Sequence, residues 1–122
     1  MYAVSRDGKR VTDPSINVYA NAFAIYGLSK YSEVTGSSEA LTLALQTFRT
    51  LDALYHSSST GGYDESGTIG GTVFDSIALE GTNSAGQPQL SQSFNTLMHV
   101  AEALTELSRA TIGKDALVQA RL

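Results

Sequence analysis

Ile16-Asn-Val-Tyr-Ala-Asn-Ala-Phe-Ala-Ile-Tyr-Gly-Leu-Ser-Lys-Tyr-Ser-Glu-Val34 reads as a helix, from about Ser15 to Val34, that is apolar around most of its circumference. Val18, Ala22 and Ile25 recur on one side, Tyr19, Phe23 and Tyr26 on a neighbouring side, and Ala24, Leu28 and Tyr31 on a third. A helix wrapped in this way needs neighbours on more than one face. Asp13-Pro14 offers a cap and a first-turn proline ahead of it, Thr35-Gly36 offers a stop, and Ser37 or Ser38 can cap a second helix. That second helix, about Glu39 to Tyr55, is one-sided: Leu41, Ala44, Leu45, Phe48, Leu51 and Tyr55 form a single stripe. The pair predicts an αα-hairpin in which the first helix is internal and the second external.

Outward from this hairpin, Arg6-Asp-Gly-Lys9 is a polar turn between short potential strands. Past Tyr55, His56-Ser-Ser-Ser-Thr-Gly-Gly-Tyr-Asp-Glu-Ser-Gly67 breaks the apolar period, and the chain is loop-like to about Ser91. A candidate short strand lies at Thr72-Val-Phe-Asp-Ser-Ile-Ala-Leu79, with further turns at Gly81 and Gly86. Connections of this length often carry function. Gly70-Gly71 is not a phosphate loop, because no GK[ST] succeeds it.

Gln92 to Ser108 is a third helix with two patterned faces. Phe94, Leu97, Met98, Ala101 and Leu104 have the spacing of a buried surface, while Asn95, His99, Glu102 and Glu106 form a polar line at the same period. Thr111-Ile-Gly113 is a turn, and Lys114 to Leu122 begins another helix of about two turns. The chain thus repeats an inner helix, a glycine turn and an outer helix. Its second outer helix is too short to cover its partner, so either another subunit completes the layer or the chain is a fragment of a larger helical toroid.

With 122 residues and 42% hydrophobic composition, one modest core and one domain over residues 1–122 are expected. Eight basic residues stand against twelve acidic ones, with no Lys/Arg run to track a phosphate backbone or an anionic membrane, so neither nucleic acid nor membrane is an expected partner. No cysteine is present, and no apolar stretch approaches the length of a membrane span. The N-terminus lacks a signal-peptide layout, which makes the cytoplasm the default compartment.

The polar line is either an ordinary solvated stripe or a helix side that faces a cavity. Asn95 donates and accepts, neutral His99 does both through its two ring nitrogens, and Glu102 can orient the imidazole from one turn away. Such groups suit a polyhydroxylated ligand. His56, in a serine-rich turn, reads as a surface or helix-terminal residue. Phe23, Tyr26 and Phe94 read as core, and Tyr63 as local packing rather than cleft mouth. Asp64-Glu65, Asp75 and Glu80 show no spacing that establishes a glycosidase pair. Two separated histidines without HExxH support no zinc or iron centre, and no organic cofactor is implied.

Three stretches resemble the N-acylglucosamine 2-epimerase and cellobiose 2-epimerase superfamily: Asn17 to Gly36, Gly61-Gly-Tyr-Asp-Glu65, and Phe94-Asn-Thr-Leu-Met-His-Val-Ala-Glu-Ala-Leu-Thr-Glu-Leu-Ser-Arg-Ala-Thr111. The resemblance runs almost the whole chain and covers about a third of a usual family domain. It implies an all-α fold, αα-hairpins forming part of an (α/α)6 toroid, with a long irregular loop and short β segments. It places Tyr19, Asn95 and His99 at the inner wall of a sugar-binding cleft, with Glu102 next along the same helix. The activity implied is epimerisation at C2 of a reducing mono- or disaccharide, some relatives isomerising aldoses and ketoses instead.

Within that resemblance His99 is the substrate-contacting or ring-opening histidine of the Asn-Thr-x-x-His pattern and the catalytic candidate. The family's principal acid/base pair belongs to later helices without a counterpart here, and its early arginine has none in Arg6 or Arg10. Three readings remain open: an epimerase-like carbohydrate-binding fragment, a small isomerase completed by oligomerisation, or a noncatalytic helical interaction domain. Self-association is expected in addition, because Val18, Ala22, Phe23 and Ile25 lie on a helix with more apolar sides than one hairpin covers.

Overall fold

A computed structural model describes residues 3–13, 15–68 and 92–122. The expected strand at Thr72 to Leu79, the turns at Gly81 and Gly86, and Pro14, Asp75 and Glu80 lie outside the described residues. Strands β1 (Ala3–Val4) and β2 (Val11–Asp13) form an antiparallel ribbon. The expected polar turn joins them: Gly8, at φ 72°, donates its N–H to the Ser5 carbonyl at 2.7 Å, and Ser5 Oγ donates to Asp7 at 2.6 Å.

Asp13 does not cap the first helix; it sits in β2. The chain stays extended through β3 (Ser15–Asn17), which pairs antiparallel with β4 (Ser66–Thr68), and the Val18 N–H continues that pairing by donating to the Glu65 carbonyl at 2.8 Å. Helix α1 (Val18–Thr35) therefore starts where this pairing ends. Asn17 is its cap, its side-chain oxygen accepting the Ala20 N–H at 2.9 Å.

Gly36 ends α1 in the left-handed conformation at φ 73°, where a side chain would be strained, and Ser37 caps α2 (Ser38–Tyr55) by accepting from the Ala40 N–H. The αα-hairpin is as expected. Ala44, Phe48, Leu51 and Tyr55 are buried on α2, with Leu41 and Leu45 packed beside them. Helix α3 (Phe94–Ala110) is capped by Ser93, and helix α4 (Ala116–Arg121) by Asp115, whose carboxylate accepts the Leu117 and Val118 N–H groups.

The buried face of α3 differs from the expected one. Thr96, Val100, Ala103, Leu104 and Leu107 face the core, whereas Phe94 is 82% exposed and Met98 and Ala101 are also exposed. Only Leu104 and, at the margin, Leu97 belong to both sets. The buried arc is turned by roughly 100°, the rotation of one residue. The reason is partly chemical: Thr96, polar in sequence, is accommodated in the core because its hydroxyl donates to Glu65 at 3.2 Å.

Contacts at both ends show that α1 and α3 run parallel, since Tyr19 and Phe23 near the start of α1 meet His99 in α3, while Lys30 near its end meets Glu106. Helix α1 packs along both α2 and α3, so two of its faces are covered as its wrapping requires. Val18, Ala22 and Ile25 are buried within the chain, which removes them from any surface open to self-association. One buried cluster links all four helices, and Val118 of the short α4 is fully inside it. Among the described residues no helix is long and apolar enough to cross a membrane.

Candidate functional site

The α1 side of the site is a row of rings. Tyr19, Phe23 and Tyr26 succeed one another at offsets of four and three, and their side of the helix points away from the hairpin core. Phe23 is 48% and Tyr26 39% exposed, so both leave the core expected for them. The α3 side is the polar line, whose residues carry the same offsets. Where the rows meet, the imidazole of His99 lies edge-on to Tyr19 and tilted against Phe23, with ring centroids 4.8 Å away in each case. The rings of Tyr19 and Phe23 also touch, at 5.0 Å.

His99 is held from a third direction. Its Nδ1 is 2.8 Å from Glu102 Oε2, one turn along α3. An ionised carboxylate only accepts, so this contact assigns a proton to Nδ1, and in the neutral ring Nε2 is then the accepting nitrogen. The histidine side chain keeps 17% of its surface and Glu102 keeps 55%, which makes the pair a mostly buried ring with a carboxylate at its open edge.

Beside this pair lies a recess of about 470 Å³ lined by Ala22, Phe23, Tyr26, His99, Glu102, Thr105 and Glu106. The lining is apolar along α1 and polar along α3. Glu106 forms its foot, accepting from Lys30 at 2.9 Å and from Arg109 at 3.3 Å, while Glu33 pairs with the same two cations. His99, Glu102 and Glu106 of the polar line thus come together. Asn95 is exposed and outside the recess, and Tyr19 reaches it through its contacts with the His99 and Phe23 rings.

The Gly61-Gly-Tyr-Asp-Glu65 loop is a buckle rather than a cleft mouth. Tyr63 is buried and donates its hydroxyl to Asp52 Oδ1 at 2.7 Å, and its ring meets that of His56 at 5.3 Å. His56 is the residue that closes α2, as its sequence position implies. Arg121 of α4 grips the same Asp52 through two nitrogens, at 2.6 and 3.1 Å. Burial pushes the Asp52 carboxyl up, yet the Arg121 and Tyr63 bonds outweigh it and leave the group below its usual value. Burial and the bond to Asp52 both push the Tyr63 phenol up.

Sequence reasoning missed Ala22, Phe23, Tyr26 and Thr105 as lining residues. The sequence carries only part of the signal: the ring row at 19, 23 and 26 repeats the offsets of the polar row at 95, 99 and 102, but so does the buried row at 18, 22 and 25, and only the packing of the two helices chooses between them.

No family model matches the chain. A cellobiose 2-epimerase of Bacteroides fragilis is 30% identical over 110 residues, which is 90% of this chain and 26% of that protein. One from Eubacterium cellulosolvens is 33% identical over 109 residues, 89% of this chain and 25% of that protein. Among solved structures, the cellobiose 2-epimerase of Spirochaeta thermophila superposes with a TM-score of 0.78 at 32% identity, covering 97% of this chain and 28% of that one. A D-mannose isomerase, at 21% identity and a TM-score of 0.68, shares the fold. The chain spans about a quarter of the length of the curated relatives it matches. Its inner α1 and α3 backed by α2 and α4 are a sector of an (α/α)6 toroid, and the chain is a partial domain of the cellobiose 2-epimerase family.

Proposed function

We propose that this chain forms part of the wall of a sugar-binding cleft in a protein that epimerises reducing sugars at C2. The observation that carries the reading is His99, fixed between Tyr19 and Phe23, oriented by Glu102 and placed at the edge of a recess. Its Nε2 can take the proton of the anomeric hydroxyl and return it to O5 as the C1–O5 bond breaks, which opens the ring to an aldehyde. Asn95, one turn before His99 on α3 and outside the recess, would offer a donor and an acceptor to the hydroxyls of a sugar that extends past it, and Tyr19 would add its hydroxyl from the adjacent helix.

Epimerisation then removes the proton from C2 to give an enediolate and returns one to the opposite face. Groups on both faces are the simplest solution. The chain has two histidines, and His56 lies against Tyr63 at the end of α2, so the remaining acid/base groups come from the rest of the complete protein. The isolated chain should therefore bind sugar weakly, shifting the His99 ring resonances, while catalysing little or no deuterium incorporation from solvent at C2 of glucose, mannose, N-acetylmannosamine or cellobiose. Robust exchange that vanishes in His99→Ala would instead make the isolated chain an active isomerase.

One observation favours a second reading, a noncatalytic helical module that self-associates. Phe94, Met98 and Ala101 of α3 are exposed along successive turns of one flank.

A further inference from the structure

The recess has a charge sign. Among the described residues, neither lysine nor arginine lines it. The cations at its foot are committed: Lys30 bonds Glu33 and Glu106, and Arg109 pairs with the same two carboxylates, so these four charges cancel. Glu102 is different. Its described partner is the His99 ring, a single N–H donor rather than a permanent cation, and its side chain is more than half exposed at the open edge of the recess. One negative charge is left over, beside the apolar rings of Phe23 and Tyr26.

We infer that the recess sorts sugars by charge, taking neutral sugars and the ammonium forms of amino sugars and disfavouring sugar acids, with Glu102 setting the sign. The inference rests on the sugar-cleft reading above. A pyranose laid with its C–H face on Phe23 and Tyr26 brings its substituents toward the polar α3 wall. For unit charges about 6 Å apart at an effective dielectric near 40, repulsion weakens binding roughly tenfold.

Glucose, glucuronate and glucosamine are near-isosteres that carry no charge, a negative charge and, when protonated, a positive one. Titration of each into the chain, monitored at the His99 ring resonances at about 0.01 M ionic strength, reads the sign while the screening length is ~30 Å. Glucuronate should bind roughly tenfold more weakly than glucose, glucosamine at least as tightly as glucose, and the gap should close in about 1 M salt. Glu102→Gln should also close it. Glu39→Gln, an equal charge change at an exposed site in the first turn of α2, should leave it in place. Equal binding of glucose and glucuronate to the unaltered chain, or equal effects of the two variants, would overturn the charge rule and leave the sugar cleft standing. No response to any of the three sugars would remove the sugar-cleft reading itself, and the rule with it.

Discussion

Asp52 is a single carboxylate on which three parts of the chain converge. It receives the Tyr63 hydroxyl from the buckle and the Arg121 guanidinium from α4 while belonging to α2. Its depressed folded value means that it contributes stability above its unfolded value near ~3.9, and that this contribution is lost as pH falls through the folded value. The Tyr63 phenol has the opposite sign. Its raised value stabilises the fold below the unfolded value of about 10 and ceases to do so as pH rises through the folded one. The pair thus supports a stability plateau bounded by an acid limb and an alkaline limb. Tyr63→Phe keeps the ring and removes the bond, and should cost about 1–2 kcal/mol in urea unfolding at neutral pH. Asp52→Asn should flatten the acid limb. Coincident urea midpoints for Tyr63→Phe and the unaltered chain would show that this bond contributes nothing.

Among the elements, α3 most rewards a comparison of its faces. Leu107 has no exposed surface and Met98 is 39% exposed, although the apolar spacing in the sequence favours the Met98 side. Leu107→Ala should cost about 2–5 kcal/mol, while Met98→Ala, measured where the chain is monomeric, should stay within about 0.5 kcal/mol. Similar costs for the two would place the core on the wrong arc. The contrast shows what the sequence makes legible. Gly36 and Ser37 announce the α1–α2 junction because a left-handed residue and a cap are local chemistry. The buried arc of α3 is half legible, since Val100, Ala103, Leu104 and Leu107 also recur at helical spacing, but its polar member Thr96 is accommodated by Glu65, a contact made across thirty-one positions of sequence that no periodicity within the helix contains. Asn17 displaces Asp13 as the cap for a similar reason, since the β3–β4 pairing that delays α1 joins distant segments. The site is legible in halves. The polar row of α3 reads from sequence as a candidate wall and the resemblance adds Tyr19, but Phe23 and Tyr26 of α1 read as core, and only the parallel packing of the two helices sets one row against the other.

At the scale of the molecule, the hairpin core is covered but the flank of α3 is not. Phe94 is 82% exposed, and Met98 and Ala101 extend the same strip beside a recess that already exposes Phe23 and Tyr26. Scattered apolar residues on a surface need no explanation, but a strip along one helix next to an open groove marks a surface suited to association. In an isolated chain a second copy is the available partner. An aromatic anchor with Met and aliphatic neighbours is a common composition for an interface core. Sedimentation velocity at micromolar concentration should therefore show a dimer or larger species, and Phe94→Asp should shift it to monomer without lowering the urea midpoint measured at high dilution, because Phe94 lies outside the buried cluster of the described residues. A second copy would also bring a second His99. If association placed the two imidazoles on one sugar, deuterium exchange at C2 would appear only in the associated form and would disappear in Phe94→Asp; association without exchange would leave the flank as a binding surface and the chemistry to the complete toroid. A compact monomer throughout the micromolar range would refute the association.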